Sequence, residues 1–87
     1  MHIAIAGCGQ LARMLALAGW EMGYKLSFIA DPGEDTRCVK GLGKIVTRSD
    51  KMSAEQLHLK LGLPEILTSE KEHVNFDLLA EFSKFCL

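Results

Sequence analysis

Apolar positions along the chain fall into short blocks separated by glycine, proline and polar residues, and the blocks alternate in character. Residues 2–6 form an apolar run rich in isoleucine and closed by glycines, which reads as a buried strand. Residues 10–22 are rich in leucine, alanine and methionine, all good helix formers, and Gly23 stands where a helix ends in a left-handed cap. This segment is apolar nearly all round, so the expectation is a helix largely covered on both sides.

Residues 25–30 predict a second strand, and Asp31-Pro32-Gly33 supplies the turn after it, with proline fixing φ and glycine permitting a positive φ. One or two helical turns are expected over 36–40 and a short strand over 44–47. Ser53 and Gln56 match a capping box, in which each side chain satisfies an orphan backbone donor at the start of a helix. That helix is expected to end near Gly62 and Pro64. Residues 65–69 give a fourth strand, and Asn75 is a plausible cap for a last helix over 76–86. Four strands alternating with helices predict an α/β fold, a doubly wound and mostly parallel sheet flanked by helices, because parallel neighbours need crossover connections.

Length and composition narrow the class further. With 87 residues, 48% of them hydrophobic and 24% charged, the chain fits one small globular domain rather than a disordered or fibrous segment. The formal net charge is -1 and the basic residues are scattered, so there is no electrostatic footprint for nucleic acid. The longest apolar stretch, 11–22, is broken by Arg13 and Glu21 and falls short of the roughly 20 residues of a membrane span. No basic leader precedes the first strand, and the expected location is the cytoplasm. Cys8, Cys38 and Cys86 lack metal-ligand spacing and read as free thiols, and His2, His58 and His73 likewise suggest no metal site.

Between the first strand and the first helix lies Gly7-Cys8-Gly9-Gln10-Leu11-Ala12, which has the spacing of the G-x-G-x-x-G/A fingerprint in its proper context. In such a loop the first glycine allows the tight turn and the second lets a ligand approach the backbone. The N–H groups of residues 10–12, with the helix dipole behind them, suit an anion such as phosphate. A tight strand-to-helix turn also favours glycine with no ligand involved. Asp31, 22 residues after Gly9, stands where dinucleotide enzymes hold a ribose hydroxyl, and an Asp before Pro equally opens a turn through its own side chain. Spacing alone leaves these alternatives open.

A longer correspondence is more specific. Gly9-Gln10-Leu11, Arg13-Met14-Leu15, Ala18-Gly19, Gly23-Tyr24 and Ala30-Asp31-Pro32, in that order, resemble the opening of 5-(carboxyamino)imidazole ribonucleotide synthase, the ATPase subunit of phosphoribosylaminoimidazole carboxylase. Leu67-Thr68-Ser69-Glu70-Lys71-Glu72-His73-Val74 is similar to a later stretch of that family. The resemblance implies a Rossmann-like domain that precedes an ATP-grasp domain. The parent enzyme is a ligase of purine biosynthesis that uses ATP, magnesium and bicarbonate to carboxylate the amine of aminoimidazole ribonucleotide. It also implies that Gly9, Gln10, Leu11 and Glu72 line the ribonucleotide side of the cleft, with no catalytic, nucleotide-binding or metal-binding residue in this stretch. Such enzymes are several times longer than 87 residues. The expectation is therefore an N-terminal domain without the ATP-grasp and C-terminal domains, inactive alone and binding neither ATP nor magnesium by itself.

Two further expectations accompany this reading. A shortened sheet and the apolar residues Phe76, Leu79, Phe82 and Phe85 suggest a homodimer. The competing functions are a free-standing NAD-binding module and a noncatalytic interaction domain.

Overall fold

A computed structural model describes residues 1–49 and 51–69 of the chain. Its elements run β1 (His2–Ala6), α1 (Gln10–Glu21), β2 (Lys25–Ala30), a 3₁₀ turn (Arg37–Val39), β3 (Lys44–Thr47), α2 (Ala54–Leu61) and β4 (Ile66–Ser69). The four strands form one sheet in the order β3-β2-β1-β4, and every neighbouring pair is parallel. The alternating pattern of strands and helices thus gives the expected α/β sheet. The last helix expected over 76–86, and Glu72 with it, lies outside the described residues.

Period-two alternation sorts the strand residues between two layers. Ala4, Ile29 and Val46 pack with Ala54, Leu57 and Leu61 of α2, whereas Ile5, Phe28 and Ala30 pack with Ala12 and Ala16 of α1 and with Val39 of the 3₁₀ turn. The sheet is therefore covered on both faces, which is why β2, flanked by β1 and β3, is buried at every position after Lys25. Fully burying a side chain such as Leu57 or Leu61 contributes about 1.5–3 kcal/mol.

The termini of α2 follow the sequence closely. Ser53 Oγ accepts the Gln56 N–H at 3.1 Å, and Gln56 Oε1 accepts the Ser53 N–H at 3.0 Å, completing the capping box. Gly62 closes the helix at φ 93°, in the left-handed region where a side chain is strained.

The cover expected for α1 is not what the structure has. Ala12, Ala16 and Gly19, spaced i, i+4 and i+7, are its buried residues, and they seat the helix close on the sheet. Leu11, Met14, Leu15, Leu17 and Trp20 remain exposed. Small residues allow near approach of helix and sheet, and this turns the bulky ones outward. Among the described residues, Leu11, Met14, Leu15, Ala18 and Met22 form a second apolar stripe beside the buried one.

At the amino ends of the strands, His2 fastens three elements. Its ring Nδ1 lies 3.1 Å from Gly62 O and its Nε2 lies 2.5 Å from Ser27 Oγ, while the Ser27 hydroxyl is 2.9 Å from Leu61 O. Burial is the largest influence on the imidazole and pushes its pKa below the ordinary value of 6.5, against the opposing effect of the Gly62 carbonyl. His2 is thus a structural residue. His58 also serves locally, with its Nε2 2.8 Å from Pro64 O.

Candidate functional site

All four strands end at one edge of the sheet, where ligands bind in open parallel α/β folds. Here β1 runs into Gly7, β2 into Asp31 and β3 into Arg48, and Ser69 of β4 stands in register with Ala6. Gly7 adopts φ 133°, which a residue with a side chain rarely reaches, and its N–H donates to Ile29 O at 3.0 Å. Gly9 has φ -89° and ψ -164°, extended backbone that does not by itself require glycine.

The helical ladder opens with Arg13 N–H donating to Gly9 O at 3.0 Å, so the N–H groups of Gln10 and Leu11 precede it. The N-cap residue of α1, Gly9, has no side chain with which to cap the helix. Gln10 is exposed and Leu11 is half exposed, so both stand at the positive end of the helix dipole and face outward. Three of the four expected site residues, Gly9, Gln10 and Leu11, are consecutive at the turn. Glu72 falls outside the described residues.

Two acidic residues of the neighbouring loop are committed within the protein. The turn Asp31-Pro32-Gly33-Glu34 closes through Glu34 N–H to Asp31 O at 3.0 Å, with Gly33 at φ 79° as the sequence requires. The Glu34 carboxylate accepts the Cys8 N–H through Oε2 and the Asp31 N–H through Oε1, each at 2.9 Å. The Asp31 carboxylate meets Arg48 Nε at 2.5 Å. Neither Glu34 nor Arg48 stands out along the sequence. The only linear cue to Glu34 is its place at the end of a proline-glycine turn, which says nothing of the loop it reaches.

Nearby, Ser49, Lys51, Met52, Gln56 and Lys60 line a shallow depression of about 230 Å³. Cys8 is buried with its Sγ 4.0 Å from Ile29 O, and Cys38 is partly buried, both as free thiols. Among the described residues, no group of three or more His, Cys, Asp or Glu could hold a metal ion, and no helix is long and apolar enough to cross a membrane.

Residues 1–85 match the ribonucleotide synthetase preATP-grasp domain. The chain belongs to this family. This preATP-grasp domain is 38% identical over 85 residues to N5-carboxyaminoimidazole ribonucleotide synthase of Pseudomonas aeruginosa, covering 98% of this chain and 23% of that protein. The Bacillus subtilis enzyme of the same name is 30% identical over 77 residues, covering 88% of this chain and 20% of its own length. Among solved structures, N5-carboxyaminoimidazole ribonucleotide synthetase from Thermus thermophilus superposes with a TM-score of 0.76 at 29% identity, covering 97% of this chain and 22% of that one. The Staphylococcus aureus N5-carboxyaminoimidazole synthetase complexed with ADP gives a TM-score of 0.74 at 26% identity over 98% of this chain and 22% of its own. The preATP-grasp domain described here therefore spans less than a quarter of the length of these relatives.

Proposed function

We propose that this chain forms one wall of the ribonucleotide site of an ATP-dependent carboxylating ligase of purine biosynthesis that acts on aminoimidazole ribonucleotide. The observation that carries the reading is the exposed amino end of α1, where Gln10 and Leu11 stand on the turn set by Gly7 and Gly9. N–H groups at a helix start suit the phosphate of a ribonucleotide, and the Gln10 amide offers donors and an acceptor to its polar groups. Glu72 is assigned to the same substrate. The identity to enzymes named for this ribonucleotide supports the choice.

ATP and magnesium belong, in this reading, to the other domains of such enzymes. Two observations support that division: among the described residues no three His, Cys, Asp or Glu side chains are grouped as a metal ion would need, and the glycine loop carries the Glu34 carboxylate on its own backbone. The 87 residues alone are accordingly inactive and act in the cytoplasm as part of the enzyme. Self-association into a homodimer is also proposed, supported by the exposed apolar residues Met14, Leu15 and Met22 on the outside of α1.

Titrating aminoimidazole ribonucleotide into the labelled chain tests the site. Shifts concentrated at the Gln10 and Leu11 amides are expected, with no response to NAD. Tight NAD binding that Asp31→Ala abolishes would replace this reading with the dinucleotide module. ATP hydrolysis by the chain alone would show that the nucleotide site is misplaced, and a monomer at high concentration in sedimentation would remove the dimer.

A further inference from the structure

Glu34 belongs to the loop after β2, yet its carboxylate reaches the loop after β1. Its two oxygens accept the N–H groups of Cys8 and Asp31, both at 2.9 Å, so one anion clasps both loops at the site edge. Hydrogen bonds to a charged acceptor are among the stronger ones, and Glu34 is itself only partly exposed. Arg48 adds a third strand end to the assembly through Asp31.

A dinucleotide fold uses these two places differently. Its glycine loop surrounds a pyrophosphate, and the acid after its second strand holds a ribose hydroxyl. In this chain the Asp31 carboxylate is directed to Arg48, and the glycine loop has a carboxylate bonded to its own backbone. A pyrophosphate brought to that loop would meet like charge at short range in a partly dry environment, where the repulsion is weakly screened. A single phosphate at the start of α1 lies farther along the chain, beyond Gly9.

We propose that Glu34 is the positioning and specificity-determining residue of the glycine loop, fixing residues 7–9 so that Gln10 and Leu11 meet a nucleoside monophosphate, and excluding the pyrophosphate of a dinucleotide. This rests on the reading of the loop as a ribonucleotide wall. Glu34 touches neither substrate nor reacting atoms. It acts through the backbone it holds.

Amide exchange and ligand titration on the 87-residue chain, compared among wild type, Glu34→Gln and Glu34→Ala, test the proposal. Glutamine keeps the shape and one acceptor oxygen but turns an NH₂ toward the other N–H, and alanine removes both acceptors. Exchange at Cys8 and Asp31 is expected to quicken by about ten-fold or more in Glu34→Ala relative to Ile5 and Phe28. Inorganic pyrophosphate is expected to bind Glu34→Gln about ten-fold more tightly than wild type, a change that loss of structure alone would not produce. Unchanged exchange at Cys8 in both variants, or equal pyrophosphate affinity in wild type and Glu34→Gln, overturns the proposal. If Glu34→Ala does not fold, Glu34→Gln decides by the same two readouts. Failure of wild type to bind aminoimidazole ribonucleotide would sink the substrate reading, while the exchange and pyrophosphate results still judge Glu34.

Discussion

Arg48 Nε stands 2.5 Å from Asp31 Oδ1 and joins the carboxyl end of β3 to that of β2. The Arg48 N–H donates to Ala30 O at 2.9 Å, so backbone and side chain hold the same two strand ends. The Asp31 side chain is 41% exposed, which lets water screen the pair. A double-mutant cycle of Asp31→Asn and Arg48→Met is expected to give a coupling of about 0.5–1 kcal/mol in urea denaturation, falling with added salt. Zero coupling at low salt would mean that the ion pair does not contribute in solution.

Gly43 precedes β3 where the chain passes over β2. A Cβ built there would lie 2.1 Å from Leu26 O and 2.8 Å from Leu26 C, both backbone atoms that cannot step aside cheaply. Gly43→Ala is expected to destabilise the fold by about 3 kcal/mol, at the upper end of overpacking costs. At Gly41 a Cβ would meet nothing within 4 Å, and only the φ of 83° opposes it. Gly41→Ala should therefore cost about 1–2 kcal/mol. Denaturation midpoints in the reverse order would contradict the close approach at Leu26.

His2 makes stability depend on pH. Its folded pKa is lowered, first by burial, so below the unfolded value of 6.5 the unfolded chain binds the proton more readily than the folded one. Stability from this group is present above pH 6.5 and is lost as pH falls toward the folded pKa. The expected result is a decline in urea midpoint below that pH, and the decline should shrink in His2→Gln. An equal slope in the variant would assign the effect to other groups.

Leu57 and Leu59 lie two positions apart on α2 and test which face packs on the sheet. Leu57 is 1% exposed and Leu59 is 59% exposed. Leu57→Ala should cost about 2–5 kcal/mol through lost burial and the cavity left behind, and Leu59→Ala within about 0.5 kcal/mol. Similar losses at both positions would show that the outer face of α2 is covered in solution.

Local chemistry made most of the elements legible. The run at 2–6, the capping box of Ser53 and Gln56, and Gly62 each act within a few residues, so linear reading placed β1 and the ends of α2 well. The same reading erred at α1, because composition shows that a helix is apolar but not how close it comes to the sheet. Ala12, Ala16 and Gly19 settled that by their small size. At the site, the spacing of Gly7 and Gly9 announced a turn and a helix start, and the distinctive residues around it pointed to the family before any geometry was known.

What the sequence determined by itself was the order of elements, the glycine turn and the family. Only the tertiary structure decided the partners of the acidic residues. Glu34 and Cys8 are 26 positions apart and Asp31 and Arg48 are 17 apart, and each pair meets only because parallel strands bring successive loops to one edge. Asp31 read along the chain offered either a ribose ligand or a turn. The fold gave its carboxylate to Arg48 and its N–H to Glu34, since a partly buried acidic group is stabilised by the nearest well-aimed donor. That choice depends on distances between loops, which no local pattern encodes.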